Sequence, residues 1–314
     1  MLESFDIVLE MTIAGLPQDK DVKWTHLSQR CICDNLANNN HVISRYHVKQ
    51  MLKFRQFKKR ALLKKIALND VEGRDEQFKK IASYRTSFTN EGLPVISIDT
   101  KKKELLGNFS RSGTAYSTAE RHAYDHDFLS SADGQIVPHG IYDVNENIGY
   151  VTLGLSKDTS EFVCDNLSKC WTETLQYKYP DAETMLLLCD GGGSNASAHY
   201  IVKQDLVKLA KSLSINILVA HYPPYCSKWN PIEHRLFSQI THTWSGVALK
   251  NIEFVKNLTN TTTTRTGLKV LTSINTKQYL NKREVSQKFR DNIENYVTFD
   301  DKRPKWNYLI KGRD

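Results

Sequence analysis

Residues 185–190, with the sequence MLLLCD, place the tightest limit on what this chain can fold into. Every residue before the terminal Asp190 is apolar. A short run that is apolar on both of its alternating faces is typical of a central strand in a sheet that is covered on both sides. The segment therefore predicts an α/β fold with helices packed on both faces of a sheet.

The sequence around this strand predicts the rest of the sheet. Strand-like runs precede it at residues 94–100, 104–110, 135–142 and 150–155. An amphipathic helix over 159–177 leads into the central strand, and a helix over 196–213 leads to a further strand at 215–222. A meander of strands followed by alternating helices and strands indicates a mixed α/β sheet flanked by helices.

The composition excludes several classes of protein. Of the 314 residues, 40% are hydrophobic and 25% charged, which is typical of a globular protein and excludes a disordered or fibrous chain. The apolar runs are far shorter than the roughly 18 residues of a membrane span, and the first residues do not resemble a secretory signal. We therefore expect a cytoplasmic protein with no membrane contact. The six cysteines lack CxxC spacing and are expected to be reduced thiols.

The positive charge is concentrated in one segment, residues 41–66. The chain carries a formal net charge of +8, and this segment alone has nine basic residues and no acid, so the remainder sums to about −1. Such a segment attracts polyanions because each phosphate that it neutralises releases counterions. The segment predicts DNA contacts by Arg45, Lys49, Lys53, Arg55, Lys58, Lys59 and Arg60, with Lys64 and Lys65 completing the set. A solvated helix face or a lysine-rich linker is the alternative.

The same region has the pattern of a helix-turn-helix. A first helix over 25–36 begins at Thr25 as its N-cap and ends before the breaker Asn38-Asn39-Asn40. Its apolar positions are Leu27, Cys31 and Leu36. A second, basic helix over 44–54 begins at Ser44 and has an apolar stripe of Val48, Met51 and Leu52. We predict that this second helix is a DNA recognition helix; a structural hairpin without a DNA role is the alternative.

Three acids lie at the ends of predicted elements. Asp99 ends the first strand, Asp190 ends the central strand, and Glu233 lies in the first turn of a helix that Asn230 and Pro231 begin. Singly, each has an ordinary structural explanation, and Glu233 fits a capping box with Asn230. Together, carboxylates that converge from separate elements are the ligands that Mg²⁺ prefers. Two such ions can hold the attacking and leaving oxygens of a phosphoryl transfer.

A family resemblance rests on several blocks of sequence. They are residues 95–109 (VISIDTKKKELLGNF), 126–128, 140–162, 189–200 (CDGGGSNASAHY), 221–240 (HYPPYCSKWNPIEHRLFSQI), 261–270 and 304–308 (PKWNY). In this order they resemble the Rhodopirellula-type DDE transposases of bacterial insertion sequences, over about residues 20–310. The resemblance implies an RNase H-like catalytic domain that uses Mg²⁺ or Mn²⁺, with Asp99, Asp190 and Glu233 as its three acids. Because such proteins usually have a longer helical N-terminal region, it also implies that this chain is truncated there.

The resemblance further implies how the parts work together. Residues 1–66 are expected to be a helical DNA-binding segment, 67–92 a helical connector, and 93–314 the catalytic domain with a C-terminal extension. Asp99 is expected to bridge two ions, while Asp190 and Glu233 each complete one coordination sphere. The expected partners are double-stranded DNA, both transposon ends and target, and a second copy of the chain. The chain is expected to be nucleoid-associated. By their position after Asp99, Lys101, Lys102 and Lys103 are further expected DNA contacts, although three lysines at a turn are often only solvated. Arg265 is another, although the threonines before it fit a cap or a strand equally well.

Two other functions fit the same sequence. A DNA-binding protein derived from a transposase would keep the catalytic fold as a scaffold without activity. A metal-dependent nuclease would cleave DNA without transferring the strand. His234, next to Glu233, is expected to have a structural or DNA-contact role because an adjacent helical position faces another way.

Overall fold

A computed structural model describes residues 1–10, 25–60, 71–192 and 199–313. The chain divides into two compact units, Met1–Leu68 and Asn69–Asp314. Within the described residues, no helix is both long enough and apolar enough to cross a bilayer. Each of the six cysteines is a free thiol, and four of them are buried.

The first unit has three described helices. They are α1 (Leu2–Glu10), α2 (Gln29–Asn38) and α3 (Arg45–Phe54). Apolar side chains from all three meet in one small core, which consists of Phe5, Val8, Leu9, Ile32, Leu36, Val48 and Met51. The basic residues of α3 stay outside this core, so burial of the apolar stripe leaves the charged face in solvent.

The structure corrects the start of α2 and confirms the position of α3. The N-cap of α2 is Ser28, whose hydroxyl accepts a hydrogen bond from the Cys31 N–H at 3.1 Å, and not Thr25. Ile32 is fully buried, whereas Cys31 is half-buried. Ser44 is the N-cap of α3, as predicted, and its carbonyl accepts the Val48 N–H at 3.2 Å. Its hydroxyl bonds no backbone N–H and lies 2.9 Å from the His47 ring. Lys64 and Lys65 lie outside the described residues.

The second unit contains a large mixed sheet. Its described strands are β1 (Val95–Thr100), β2 (Glu104–Leu106), β3 (Gly134–Asp143), β4 (Ile148–Gly154), β5 (Thr184–Cys189), β6 (Asn216–His221), β7 (Lys269–Asn275), β8 (Val297–Phe299) and β9 (Asn307–Ile310). Their order is β7-β4-β3-β1-β5-β6-β9-β8, and β2 pairs with β3. β1, β5 and β6 are parallel, and β3 is antiparallel to both β1 and β4. This arrangement is the RNase H-like fold.

Helices cover both faces of the sheet, as the central apolar strand predicted. They are α4 (Arg74–Asn90), α5 (Ser160–Cys170), α6 (Gln176–Lys178), α7 (Tyr200–Leu213), α8 (Ser238–Trp244), α9 (Ile252–Asn260) and α10 (Gln287–Asp291). On β1, Ile96 and Ile98 pack in the core that α5 and α7 cover. Val95, on the opposite face, packs against Ile81 of α4. The segment expected as a connector therefore contributes to the sheet's packing.

The predicted elements before residue 222 are found close to their expected positions. The strand expected over 104–110 is shorter, because β2 ends at Leu106. The helix expected over 159–177 is α5, a π-helical turn at Trp171–Leu175, and α6. The helix expected over 196–213 is described from Tyr200, and its first expected residues, 196–198, lie outside the described residues.

Candidate active site

Asp99 and Asp190 lie at matching positions on adjacent parallel strands. The register pairs Ser97 of β1 with Leu188 of β5. Asp99 lies two residues further along β1, and Asp190 lies two residues after Leu188, just past the end of β5 at Cys189. Neighbouring strands lie about 4.8 Å apart, and residues two apart point to the same face. The fold therefore places both carboxylates on one face, at the carboxyl ends of two neighbouring strands.

The segment before Glu233 is fixed directly on β1. The buried Asn230 accepts a 2.6 Å hydrogen bond from the Ser97 hydroxyl, and its Nδ2 donates to the Ile98 carbonyl at 3.0 Å. The Ser97 hydroxyl in turn accepts a 3.1 Å bond from the Ile232 N–H. Glu233 follows at once and opens a π-helical turn, Glu233–Phe237, that continues into α8. These bonds hold Glu233 beside the strand that carries Asp99.

This geometry corrects the capping expected at Asn230. Its side chain bonds β1 and caps no helical N–H, while its carbonyl accepts the Glu233 N–H at 3.0 Å. The Asn230 N–H donates to the Ser227 carbonyl at 2.8 Å, so Glu233 does not close a capping box with it. The Glu233 carboxylate is therefore not held by the backbone of Asn230.

Two glycines let this helical segment approach the sheet. Gly140 of β3 pairs with Asp99, and a Cβ there would lie 2.6 Å from Phe237 and 2.7 Å from Ile232. A Cβ on Gly149 of β4 would lie 2.4 Å from Leu236. A side chain at either position would require these residues of the helical segment to shift.

The carboxylate of Asp99 is buried near those of Asp190 and Glu233. Asp99 is only 8% exposed, and its Oδ1 accepts the Thr100 N–H at 2.7 Å. Burial, the charge of Asp190, and the charge and hydrogen bond of Glu233 raise the pKa of Asp99 to about 8, although the Thr100 bond lowers it. Crowded acids of this kind hold a proton when no cation balances them.

Asp158 is a fourth acid at this site that the sequence did not single out. Its Oδ1 accepts a 3.1 Å hydrogen bond from the Thr100 hydroxyl, so Thr100 donates to both Asp99 and Asp158. Burial and the charge of Asp158 raise the pKa of Asp190, although the Gly192 N–H lowers it. Asp158 lies in the loop between β4 and α5, within the block 140–162 but not at the end of a strand or the start of a helix.

The donor set fits a hard divalent cation. Carboxylate oxygens from Asp99, Asp190 and Glu233 are the ligands that Mg²⁺ and Mn²⁺ take, and their mutual repulsion favours a bound positive charge. In the described part of the chain, no group of three or more His, Cys, Asp or Glu side chains is drawn together as a finished metal site. Asp190 and Glu233 nevertheless lie close enough to Asp99 to shift its pKa.

The three lysines after Asp99 have different surroundings. Lys101 is half-buried: its Nζ lies 2.7 Å from Glu104 and 4.9 Å from the centre of the Trp244 ring. Arg111 contacts the same Glu104 at 2.6 Å, and the bonds from both cations lower the pKa of that carboxyl against the opposing effect of burial. Lys102 and Lys103 are exposed and line a cleft of about 510 Å³. Of the three expected DNA contacts, Lys101 is therefore paired with Glu104, whereas Lys102 and Lys103 face solvent.

In the first unit, a groove of about 810 Å³ runs between α2 and α3. Five predicted DNA contacts line it: Arg45, Lys49, Lys53, Lys58 and Lys59. Arg60 is exposed outside it. Arg55 instead forms an ion pair with Asp6 of α1, with Nε 2.8 Å from Oδ1. The groove presents clustered positive charge, whereas Arg55 joins α1 to the end of α3.

The remaining candidates are surface residues. Arg265 is exposed in the loop between α9 and β7, and His234 is exposed on the π-helical turn. Gly191 and Gly192 follow Asp190 in a bend, while Gly193 lies outside the described residues. The structure brings Asp99, Asp190 and Glu233 together, and it leaves Arg265 and His234 in solvent.

Comparison with known proteins gives one family over nearly the whole chain. The profile of the family described as "Rhodopirellula transposase DDE domain" matches residues 5–312. None of the curated proteins matches the chain in sequence.

Several solved structures are similar to this one in outline. A Mos1 transposase paired-end complex with the left transposon end is 14% identical and has a TM-score of 0.44; the match covers 82% of this chain and 69% of that chain. A pre-cleavage Mos1 transpososome is 11% identical, with the same coverage and a TM-score of 0.45. The mariner Mos1 paired end complex with Mg is 14% identical, again with that coverage, and has a TM-score of 0.42.

Proposed function

Since the chain belongs to the Rhodopirellula transposase DDE domain family, we propose that it cleaves DNA at the ends of an insertion sequence and joins the freed ends to target DNA. The observation that carries this proposal is the convergence of Asp99, Asp190 and Glu233. Their positions follow from the register of β1 and β5 and from the docking of Asn230 on β1. The proposal assigns the cleavage and joining reactions to these three side chains.

The chemistry consists of two in-line displacements at phosphorus. In the first, water attacks a phosphodiester at the element end, the P–O bond to the 3′ oxygen breaks, and that oxygen leaves as a 3′-hydroxyl. In the second, this hydroxyl attacks a phosphodiester of the target and displaces the target's own 3′ oxygen. Asp99, Asp190 and Glu233 would hold Mg²⁺ or Mn²⁺, and two such ions would stabilise the charge on the attacking and leaving oxygens. In each step the attacking water or hydroxyl loses one proton and the leaving 3′ oxygen gains one, so the reaction balances.

The basic surfaces supply the DNA contacts in this proposal. The groove lined by Arg45, Lys49, Lys53, Lys58 and Lys59 would contact the phosphates of an element end. Lys102 and Lys103 follow Asp99 by three and four residues and would contact the strand that is cut. Because two ends must be joined to one target, we propose that two copies of the chain act together on DNA.

The test combines DNA substrates with a matched pair of variants. Purified protein is incubated with labelled DNA that carries the element ends and a target plasmid, in Mg²⁺ or Mn²⁺. We expect nicked and joined products from the wild type and from Asp181→Ala, which changes an exposed acid away from the site. Asp99→Ala should lose both products while it still binds the DNA.

Two other results would replace the proposal. Binding of the element ends without any metal-dependent cleavage by the wild type would indicate a DNA-binding protein that keeps the fold as a scaffold. Nicks without joined products, at element ends or elsewhere, would indicate a nuclease.

A further inference from the structure

Four buried polar side chains form a network in the otherwise apolar core beside Asp190. They are Gln77 of α4, His221 of β6, and Asn307 and Tyr308 of β9, and each is 0 or 1% exposed. Buried polar groups are retained when every hydrogen bond is made, because an unmade one costs about 1–3 kcal/mol. Three separate elements therefore meet at the end of β5 through specific bonds.

The His221 ring contacts the backbone of Asp190. Its Nδ1 lies 2.9 Å from the Asp190 carbonyl oxygen and 3.3 Å from the Cys189 sulfur, and its Nε2 lies 3.0 Å from the Tyr308 hydroxyl. A neutral imidazole carries one proton, on either Nδ1 or Nε2. A carbonyl only accepts, so Nδ1 is the donor to Asp190 and Nε2 accepts from Tyr308.

The bond from the His221 ring to the Asp190 carbonyl extends the pairing of β5 with β6 by one residue. The backbone pairing of β5 with β6 ends where the Tyr222 N–H donates to the Cys189 carbonyl at 2.9 Å. The next carbonyl, that of Asp190, is bonded by the His221 ring. With the Gly192 N–H donating to the Asp190 Oδ1 at 3.2 Å, the peptide and the carboxylate of Asp190 are each held by one bond.

The PKWNY block at residues 304–308 holds His221 in place. The Trp306 carbonyl accepts the His221 N–H at 2.8 Å, and Gln77 donates to the His221 carbonyl at 2.9 Å. Gln77 and Asn307 also exchange two side-chain bonds of 2.8 Å each. The backbone of His221 is therefore fixed by α4 and β9, and its ring by Tyr308.

We propose that His221 is a positioning residue that fixes Asp190 for metal binding, and that Tyr308 acts by fixing the His221 tautomer. This inference rests on the proposed function, because it assigns Asp190 to the metal site. It gives the C-terminal PKWNY block a role in the active site although none of its residues need touch the DNA or an ion. Partners of this kind typically change metal affinity or activity 10–100-fold when removed.

Two substitutions at His221 separate the positioning role from ordinary packing. In His221→Asn, the amide Nδ2 can take the place of Nδ1 and still donate to the Asp190 carbonyl, while the bond to Tyr308 is lost. In His221→Gln, the longer amide can reach Tyr308 instead, while the donor to Asp190 is lost. Both remove the buried ring, so their effects on packing are similar.

The measurements are Mn²⁺ binding by calorimetry, the free energy of unfolding, and kcat and KM for DNA cleavage by the full chain. We expect His221→Gln to weaken Mn²⁺ binding and lower kcat about 10-fold or more with KM unchanged. His221→Asn should stay within about threefold of the wild type. Tyr308→Phe should weaken Mn²⁺ binding less than His221→Gln, and should add nothing to His221→Gln in the double variant.

Equal Mn²⁺ affinity in the wild type and His221→Gln would overturn the inference. So would equal losses of Mn²⁺ affinity in His221→Asn and His221→Gln that are proportional to their losses in the free energy of unfolding. A wild type that binds Mn²⁺ but does not cleave DNA would remove the proposed function alone, since the affinities still test the positioning role. A wild type that neither binds Mn²⁺ nor cleaves DNA would overturn both.

Discussion

The Ser97 hydroxyl donates a 2.6 Å hydrogen bond to the side-chain oxygen of Asn230, although the two residues are 133 positions apart in the sequence. This bond joins the strand of Asp99 to the turn that precedes Glu233. The same hydroxyl accepts the Ile232 N–H at 3.1 Å. The Ser97 side chain therefore bonds both the residue before the helical segment and a backbone N–H in its first turn. The distance between two proposed metal ligands is therefore set by a buried polar contact rather than by the ligands themselves.

Asn230→Ala should separate Glu233 from Asp99. The change leaves the Ser97 hydroxyl and the Ile98 carbonyl without their buried partner, and each unmade bond costs about 1–3 kcal/mol. We expect a loss of about 2–4 kcal/mol in the free energy of unfolding and at least about a 10-fold loss in kcat. Urea unfolding and cleavage assays check both, with the exposed Asn281→Ala as control. Full activity in Asn230→Ala would show that the docking is not needed.

Gly140→Ala should push the helical segment off the sheet. The new Cβ would lie 2.6 Å from Phe237, so the neighbour must move, at a cost of about 1–3 kcal/mol. We expect lower stability and lower cleavage activity, because Glu233 begins the same segment. Phe237→Leu removes the ring atoms that clash and should restore part of both in the double variant. If the double variant is no better than Gly140→Ala, steric displacement is not the cause.

Asp99→Asn should make the metal-free protein more stable at neutral and higher pH. The folded pKa of Asp99 is about 8 and lies above its ordinary value of 3.8, so the folded state binds a proton that the unfolded state releases. The wild type's stability therefore falls as pH rises between these values, by about 1.4 kcal/mol per pH unit from this group. Asparagine does not titrate, so the advantage of the variant should grow by that amount per unit between pH 5 and pH 7.

Urea unfolding in EDTA at several pH values measures this advantage, with Asp181→Asn as a control for an exposed acid. A flat difference between Asp99→Asn and the wild type would contradict the crowding of carboxylates at this site.

Substitutions in the first unit should divide into two kinds. Lys49 and Lys53 line the groove between α2 and α3, so Lys49→Ala with Lys53→Ala should weaken DNA binding on any sequence and reduce the salt dependence by about two charges. Arg55→Ala removes an ion pair with Asp6 and should act mainly on the unit's stability. Binding titrations over a range of salt concentrations distinguish them. An unchanged salt dependence in the lysine variant would place the DNA elsewhere.

The sequence predicted the strands that have a clear local pattern of apolar and β-branched residues. The apolar run before Asp190 predicted a buried central strand, and β1, β3, β4 and β6 follow from similar runs. The C-terminal strands β8 and β9 were not predicted, because they have only three and four residues and depend on pairing with each other and with β6.

The sequence marked the three acids of the candidate site, but it did not mark the residues that support them. Asn230 has the local pattern of an N-cap, yet its partners lie on β1, which no short-range rule identifies. Asp158 and His221 reach the site through tertiary contacts with Thr100 and with the Asp190 backbone. Spacing along a chain shows which residues can share an element, but it does not show which distant elements pack together.

The most direct test of the account is a crystal structure of the protein with Mn²⁺, in which anomalous scattering locates the metal. We predict metal peaks within about 2.0–2.6 Å of carboxylate oxygens from Asp99, Asp190 and Glu233, and no such peaks in crystals of Asp99→Asn. Metal bound only elsewhere, or Glu233 turned away from both aspartates, would contradict it.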